Sequence, residues 1–340
     1  MKHTRTSNVI AYALALAAIF PAATGVGLAQ QGQANRAGQP QNPVAGEVHV
    51  FPVRGNVYVV TGAGGNITLQ TGKGGILLVD SGLAAMSDKV VAAIRTVSKE
   101  PIRFIVNTHV HADHTGGNEN IAKLGSTITD VNAFSDIAGP SEVPGAKIIA
   151  HEAVLDRMTA GGNGQPSAPS GAWPATTYIT KRKDLFINNE AVVLFHAPAA
   201  HTDGDSIVFF RRSDVISSGD LFTPDTYPFI DLPRGGNIQG ILAALNHIIE
   251  LAVPDEREEG GTYIIPGHGR VCDEADVVEY QTMLTIIRDR IQDLVKKGMT
   301  LEQVKAAKPT FDYDAHYGST SGFWTTEMFI EAVYRNLTKK

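Results

Sequence analysis

Short apolar runs at 48–53, 56–61, 66–71 and 75–79, separated by Gly-rich turns, predict four strands joined as an antiparallel meander. A helix is expected at about 86–98, with Val90, Ile94 and Val97 on one face. A second group of strand-like runs falls at 102–108, 147–150, 183–188, 191–196, 206–211, 215–218 and 262–265. Two longer stripes have helical spacing. One holds Ile238, Ile241, Leu242, Leu245, Ile248, Ile249 and Ala252. The other holds Val277, Tyr280, Leu284, Ile287, Ile291 and Leu294 and stops at Gly298. Thr300 and Gln303 have capping-box spacing and open a further helix. These stripes read as core-facing. Strands together with helices for both faces point to an α/β (α+β) chain built as a four-layer αββα sandwich, without an internal repeat.

Composition adds size and location. The chain has 340 residues, 43% hydrophobic and 19% charged, enough to bury a large core in a single domain. Its formal charge of −6 and the lack of a basic stripe argue against nucleic acid as a partner. Lys2 and Arg5 precede an apolar stretch from Val9 to Phe20, and Gly27-Leu28-Ala29 supplies small residues. Residues 1–29 therefore read as a signal peptide cut after Ala29, which places the mature chain in the periplasm or outside the cell. The rival, an uncleaved anchor, would need about 20 apolar residues, more than this stretch offers. Cleavage takes the formal charge to −8 and leaves no integral membrane segment. Residues 30–46, rich in Gln, Gly, Asn and Pro, read as a disordered linker, and 47–340 as the domain. Cys272 is the only cysteine, so no intrachain disulfide can form. It follows His268 by four residues but reads as a small buried or half-buried residue rather than a ligand.

The chemistry concentrates in His109-Val110-His111-Ala112-Asp113-His114. Three imidazoles and a carboxylate within six residues suit zinc or a similar divalent ion. The run Ile102–Val106 precedes them as a buried strand, and Thr115-Gly116-Gly117-Asn118 follows as a turn. On an extended segment His109 and His111 point the same way and can share one metal, while Asp113 and His114 can reach a second. Matching polar residues end later apolar runs: His201 after 192–195, Asp220 after Val215-Ile216 and His268 after 263–265. Asp80 ends the earlier run 76–79.

This ordered set resembles the metallo-β-lactamase superfamily over roughly residues 47–340, and the αββα sandwich is that family's fold. The resemblance implies that His109, His111 and His201 hold one metal. It implies that Asp113, His114 and His268 hold the second and that Asp220 bridges the two. Asp80 would orient ligands without binding metal. The implied cofactor is two Zn2+ ions, with Fe or Mn as alternative native metals. The implied activity is that of a zinc-dependent hydrolase. A metal-bridging hydroxide would attack the carbonyl of an ester, thioester, lactone or amide (a β-lactam included), with Asp113 orienting it and passing its proton on.

The expected partner is a small-molecule substrate. Trp173, in the loop from Gly161 to Ala175, and Tyr227 and Phe229, close behind Asp220, are candidate pocket residues. The turn from Gly62 to Asn66 is short. Lactamases of this family carry a longer apolar loop there, so potent β-lactam hydrolysis is not expected. His196 reads as a packed strand histidine, with support of a ligand as its alternative; His151 and His247 read as structural. Two other functions compete: a mononuclear iron, persulfide dioxygenase-like sulfur oxidation, and a non-catalytic accessory role in a periplasmic quinoprotein or sulfur-oxidation system. Diiron relatives carry glutamate where this chain has His111, which argues against that class.

Overall fold

The computed structural model describes residues 46–129, 141–160, 166–255 and 260–338. The expected signal peptide and nearly all of the expected linker lie outside the described residues. No helix among those described is long and apolar enough to cross a membrane.

The meander forms as β1 (His49–Arg54), β2 (Val57–Thr61), β3 (Ile67–Gln70) and β4 (Ile76–Val79). Helix α1 (Ser87–Val97) leads to β5 (Ile102–Val106). Two short helices follow, α2 (Ala112–Thr115) and α3 (Asn118–Ala122), then β6 (Ser126–Thr129), β7 (Ser141–Pro144), β8 (Lys147–His151), α4 (Glu152–Thr159) and β9 (Thr176–Tyr178). The second half runs through β10 (Arg182–Ile187), β11 (Glu190–Ala197), β12 (Asp205–Phe210), β13 (Val215–Gly219), α5 (Ile238–Leu251) and β14 (Tyr263–Pro266). It closes with α6 (Glu274–Lys296), α7 (Leu301–Ala306), α8 (Asp314–Tyr317) and α9 (Thr326–Thr338).

One sheet has the order β1-β2-β3-β4-β5-β8-β9 and the other β10-β11-β12-β13-β14; β6 and β7 pair by themselves. Alternation along β4 shows how they stack. Leu77 and Val79 pack between the sheets with Val106, Leu194, Val208 and Ile265. Ile76 and Leu78 point the other way, onto Val90 and Ile94 of α1 and Ile121 of α3. A third apolar layer joins Ile207, Ile216 and Ile264 of the second sheet to α5, α6 and α9. Three apolar layers between four of secondary structure make the αββα sandwich. Strands such as β4 are buried on both faces, which explains their unbroken hydrophobic runs.

Differences from the sequence expectation have local causes. Val97 is 37% exposed, because α1 ends there and the chain turns away. The turn expected at 115–118 is partly helical, and Asp113 and His114 ride on α2. β9 has three residues, too short for a periodicity signal, and pairs only with β8. The capping box of Thr300 and Gln303 forms as expected, and Cys272 is buried.

Candidate metal centre

β4, β5 and β8 run parallel in the first sheet, and β13 and β14 in the second. β11 runs the same way as β13, because each is antiparallel to β12. The carboxyl ends of these strands therefore gather in one place, where open α/β sheets put their ligands. Asp80 follows β4, His109 and His111 follow β5, His201 follows β11, Asp220 follows β13 and His268 follows β14.

The side chains meet as two groups. His109, His111, His201 and Asp220 offer ligand atoms within 4.8 Å of one another, and so do Asp113, His114 and His268. Asp220 faces both groups. Its Oδ2 lies 3.8 Å from His109 Nε2 and 3.7 Å from His201 Nε2. Its Oδ1 lies 3.2 Å from His114 Nε2 and 3.6 Å from His268 Nε2. Asp113 Oδ2 is 3.2 Å from His268 Nε2 and 3.7 Å from His114 Nε2. Ligands at about 2.1 Å from a tetrahedral zinc stand about 3.4 Å apart, so these separations suit a shared ion.

The outward nitrogens of His109, His111, His114 and His201 are held. His201 Nδ1 donates to the Phe229 carbonyl at 2.7 Å. His111 Nε2 lies 2.8 Å from Asp231 Oδ2, which also accepts from Arg234 at 2.8 Å. His114 Nδ1 lies 2.8 Å from Asp80 Oδ2, and His109 Nδ1 lies 3.0 Å from Thr108 Oγ1. The carbonyl and the carboxylate can only accept, so each ring turns an N–H outward to its partner. The inward atoms, His201 Nε2 and His111 Nδ1, are 2.9 Å apart. A metal ion or a shared proton would satisfy both nitrogens. His109 Nε2 and Asp220 Oδ1 are buried without a hydrogen-bond partner. The donor set and its orphaned atoms fit divalent metal ions.

Backbone geometry supports this. Asp80 sits at φ 67°, a left-handed conformation that Asp tolerates better than most residues. Its carboxylate thereby accepts from Thr108 N at 2.8 Å and Thr108 Oγ1 at 2.7 Å as well as contacting His114. A Cβ on Gly267 would stand 1.9 Å from Asp220 Oδ1, so only glycine fits there. The turn at 62–66 ties the ligand loops together. Gly65 N donates to the Asp113 carbonyl and Asn66 N to the Gly267 carbonyl. The Asn66 amide donates to the Pro266 and Gly269 carbonyls.

In the metal-free protein the two groups titrate differently. Burial pulls His109 down and His201 to about 4, keeping both neutral. Burial opposes charge on His114 and His268 too, but neighbouring carboxylates outweigh it. Asp220 and Asp80 raise His114, and Asp113 and Asp220 raise His268 to about 9. Asp220 itself is held well below the usual carboxylate range, where His114 and His109 outweigh burial.

A model of the metallo-beta-lactamase superfamily matches residues 60–268, more than half of the chain. The chain belongs to the metallo-beta-lactamase superfamily. No curated protein matches it. Among solved structures it is similar to a double mutant of the sec-alkyl sulfatase PisA1, at 15% identity and a TM-score of 0.64. That match covers 86% of this chain and 50% of the sulfatase. PisA1 from Pseudomonas sp. matches at 16% identity and a TM-score of 0.59, with 85% and 50% covered. The chain thus spans about half the length of these sulfatases. A metallo-beta-lactamase from Pontibacter korlensis matches at 16% identity and a TM-score of 0.52, covering 70% of this chain and 99% of its own. At such identities the likeness is one of fold. Superfamily members are generally hydrolases.

A cavity of about 1530 Å³ opens over the His/Asp cluster and is lined by His111, Asp113, Asp220 and His268 at that end. Phe229 lines it, with its ring 5.7 Å from His111 and 5.6 Å from His201. Tyr227 borders it from a buried position, its hydroxyl engaged by Asp314 at 2.9 Å. Trp173 does not line it. Its indole donates to the Ala168 carbonyl and its ring packs beside Val154 and Met158, because the loop folds back on α4. His196 is likewise apart from the ligands: its Nε2 pairs with the Asp203 carbonyl and its ring stacks on His151 at 3.5 Å.

Three contributors escaped the sequence reading. Asp231 fixes His111 but lies in an ordinary-looking turn with no spacing cue. Asp205 clamps the loop of His201 by accepting from Thr202 N and Oγ1 at 2.7 and 2.8 Å. The run His201-Thr202-Asp203-Gly204-Asp205 held that signal. The third is the segment 319–328, whose Phe323, Trp324 and Met328 line the far side of the cavity.

Proposed function

We propose that this protein is a dinuclear metal-dependent hydrolase, with zinc as the expected metal, acting on the carbonyl of an ester, thioester, lactone or amide. One observation carries the reading: Asp220 turns one oxygen to each of two ligand groups. A single ion would leave one of those oxygens and the Asp113–His114–His268 group without a role. When bound, two divalent ions would supply an acidified water and a positive field at the developing oxyanion.

The chain's own residues do the rest. His109, His111 and His201 would hold the first ion and Asp113, His114 and His268 the second. Asp80, Thr108, Asp231 and the Phe229 carbonyl keep the imidazoles aimed. Asp113 lines the cavity and is half-buried, so its carboxylate can take the proton of an attacking water. Water adds to the carbonyl carbon, the bond to the leaving group breaks, and that proton passes to the departing atom. A half-buried Phe229 beside His111 keeps bulk water from one flank of the site.

A sulfate ester is the second substrate reading. It is favoured by Arg234, which lines the cavity three residues beyond Asp231, the partner of His111. Read as a signal peptide, residues 1–29 would make it an exported enzyme. Metal analysis of the purified chain and of Asp220→Ala is the test. Two zinc ions falling toward one supports the reading. A single iron, unmoved by the substitution, overturns it in favour of sulfur oxidation. Rates on p-nitrophenyl acetate and p-nitrophenyl sulfate then separate the two substrate readings.

A further inference from the structure

We infer that the far wall of the cavity is a binding site for an aliphatic chain, so that the preferred substrates are esters or thioesters of medium to long acyl groups. This rests on the hydrolase reading for its reactive end and on independent residues for its chain-binding end.

Those residues form one continuous apolar surface. Phe229 touches the metal cluster on one side. On the other, its ring meets Trp324 at 4.8 Å and Phe323 at 5.4 Å, both edge-on at 74°. Trp324 is anchored by its indole N–H, which donates to the Pro228 carbonyl at 3.2 Å. Met328 and Ala332 extend the wall along α9. Phe323 is 76% exposed and Met328 42% exposed. Large apolar side chains left open around a concavity mark a binding surface. The wall comes from 319–332, beyond the 60–268 matched by the superfamily model.

Charge decides the chemistry of the occupant. Arg234 is committed to Asp231 at 2.8 Å, and Arg335 to Glu331 at 2.7 Å. Both wall arginines are therefore already engaged by carboxylates. Strong uncompensated polarity remains only at the ligand end. An amphipathic molecule fits that gradient, with its polar reacting group at the metals and a neutral hydrocarbon chain along Phe229, Trp324 and Met328. The volume of about 1530 Å³ exceeds the 300–1,000 Å³ of ordinary ligand pockets, so length is accommodated. Each methylene buried adds favourable transfer energy, and chain burial in the transition state raises kcat/KM.

The two tryptophans make the test direct. Trp173 packs away from the cavity, so Trp173→Phe leaves Trp324 as the sole indole. Metal-stripped Trp173→Phe protein is titrated with 11-bromoundecanol, whose bromine quenches an indole only on contact. Saturable quenching is expected, with affinity reduced at least about fivefold by adding Phe323→Ala, a change at an exposed position. The metal-loaded enzyme should favour p-nitrophenyl octanoate over the acetate by at least about tenfold in kcat/KM. Phe323→Ala should shrink that ratio. Quenching no stronger than that of free N-acetyltryptophanamide, or equal rates on both esters, overturns the inference. So does a dimer in sedimentation that buries Trp324 and excludes the alkanol. Saturable quenching without hydrolysis of any ester would leave the chain site standing and sink the hydrolase reading instead.

Discussion

The two ends of the cavity are built in opposite ways. At the metal end, four of the five imidazoles have one nitrogen tied down by a neighbour, and the candidate ligands follow the ends of four strands in two sheets. At the apolar end, Phe323 has no strand beneath it and Trp324 is secured by one hydrogen bond to a loop carbonyl. The first end must hold atoms to fractions of an ångström, since metal geometry tolerates little error. The second needs only shape and hydrophobicity, which tolerate change. Precision here comes from strand ends and tolerance from the carboxyl-terminal helix and loop.

That contrast can be broken at its strongest point. Gly267→Ala puts a methyl 1.9 Å from Asp220 Oδ1, so the bridging carboxylate must move. Metal affinity should fall by about a hundredfold or more while the metal-free protein keeps its circular dichroism spectrum. An unchanged affinity by competition with a chelator would mean that the metal end is as tolerant as the wall. Asp231→Asn is milder. It keeps the shape but removes the charge facing His111, and a loss of about 10–100-fold in metal affinity is expected in the same assay.

Acid sharpens the comparison within the metal end itself. His268 is raised to about 9, so below that pH its Nε2 carries a proton in the metal-free protein. His114 is raised as well, so a metal must displace a proton from each ring, and affinity for the second ion should fall by more than about tenfold per pH unit where both are protonated. His201, lowered to about 4, is already neutral across that range and releases no proton. Calorimetry in buffers of different ionisation enthalpy should find protons released from His114 and His268 with the second ion but none from His201 with the first. The smallest effect belongs to the wall. Phe323→Ser, at 76% exposure, should leave stability within about 0.5 kcal/mol by urea titration. A larger loss would show that the loop supports the core.

How much of this was legible in the sequence follows the same division. Strands such as β4, β11 and β12 announced themselves because burial on two faces leaves long apolar runs. The candidate ligands were legible because metal chemistry restricts residue type and because they follow the ends of such runs. Tyr227 and Phe229 were near enough to Asp220 to be suspected. Asp231 was not legible, since a single acid can reach His111 from any turn of suitable length. Trp173 misled because a Gly- and Pro-rich loop says nothing about which way it folds. The wall at 319–328 was hidden because its nearness to Phe229 arises from contacts far apart in sequence, Trp324 with the Pro228 carbonyl, Tyr227 stacked on Phe329 and α9 packed on α6.

The turn at 62–66 carries a consequence for how this protein can diversify. Its backbone and the Asn66 amide are tethered to the carbonyls of Asp113, Pro266, Gly267 and Gly269. A longer flap grafted there would cut the cords between two ligand loops and cost the centre its alignment. The stretch Ser319–Gly322 has no such duty to the ligands. New specificities, whether selected in nature or in the laboratory, have their open ground at the carboxyl-terminal side of the cavity, where insertions can reshape the substrate without touching the metals.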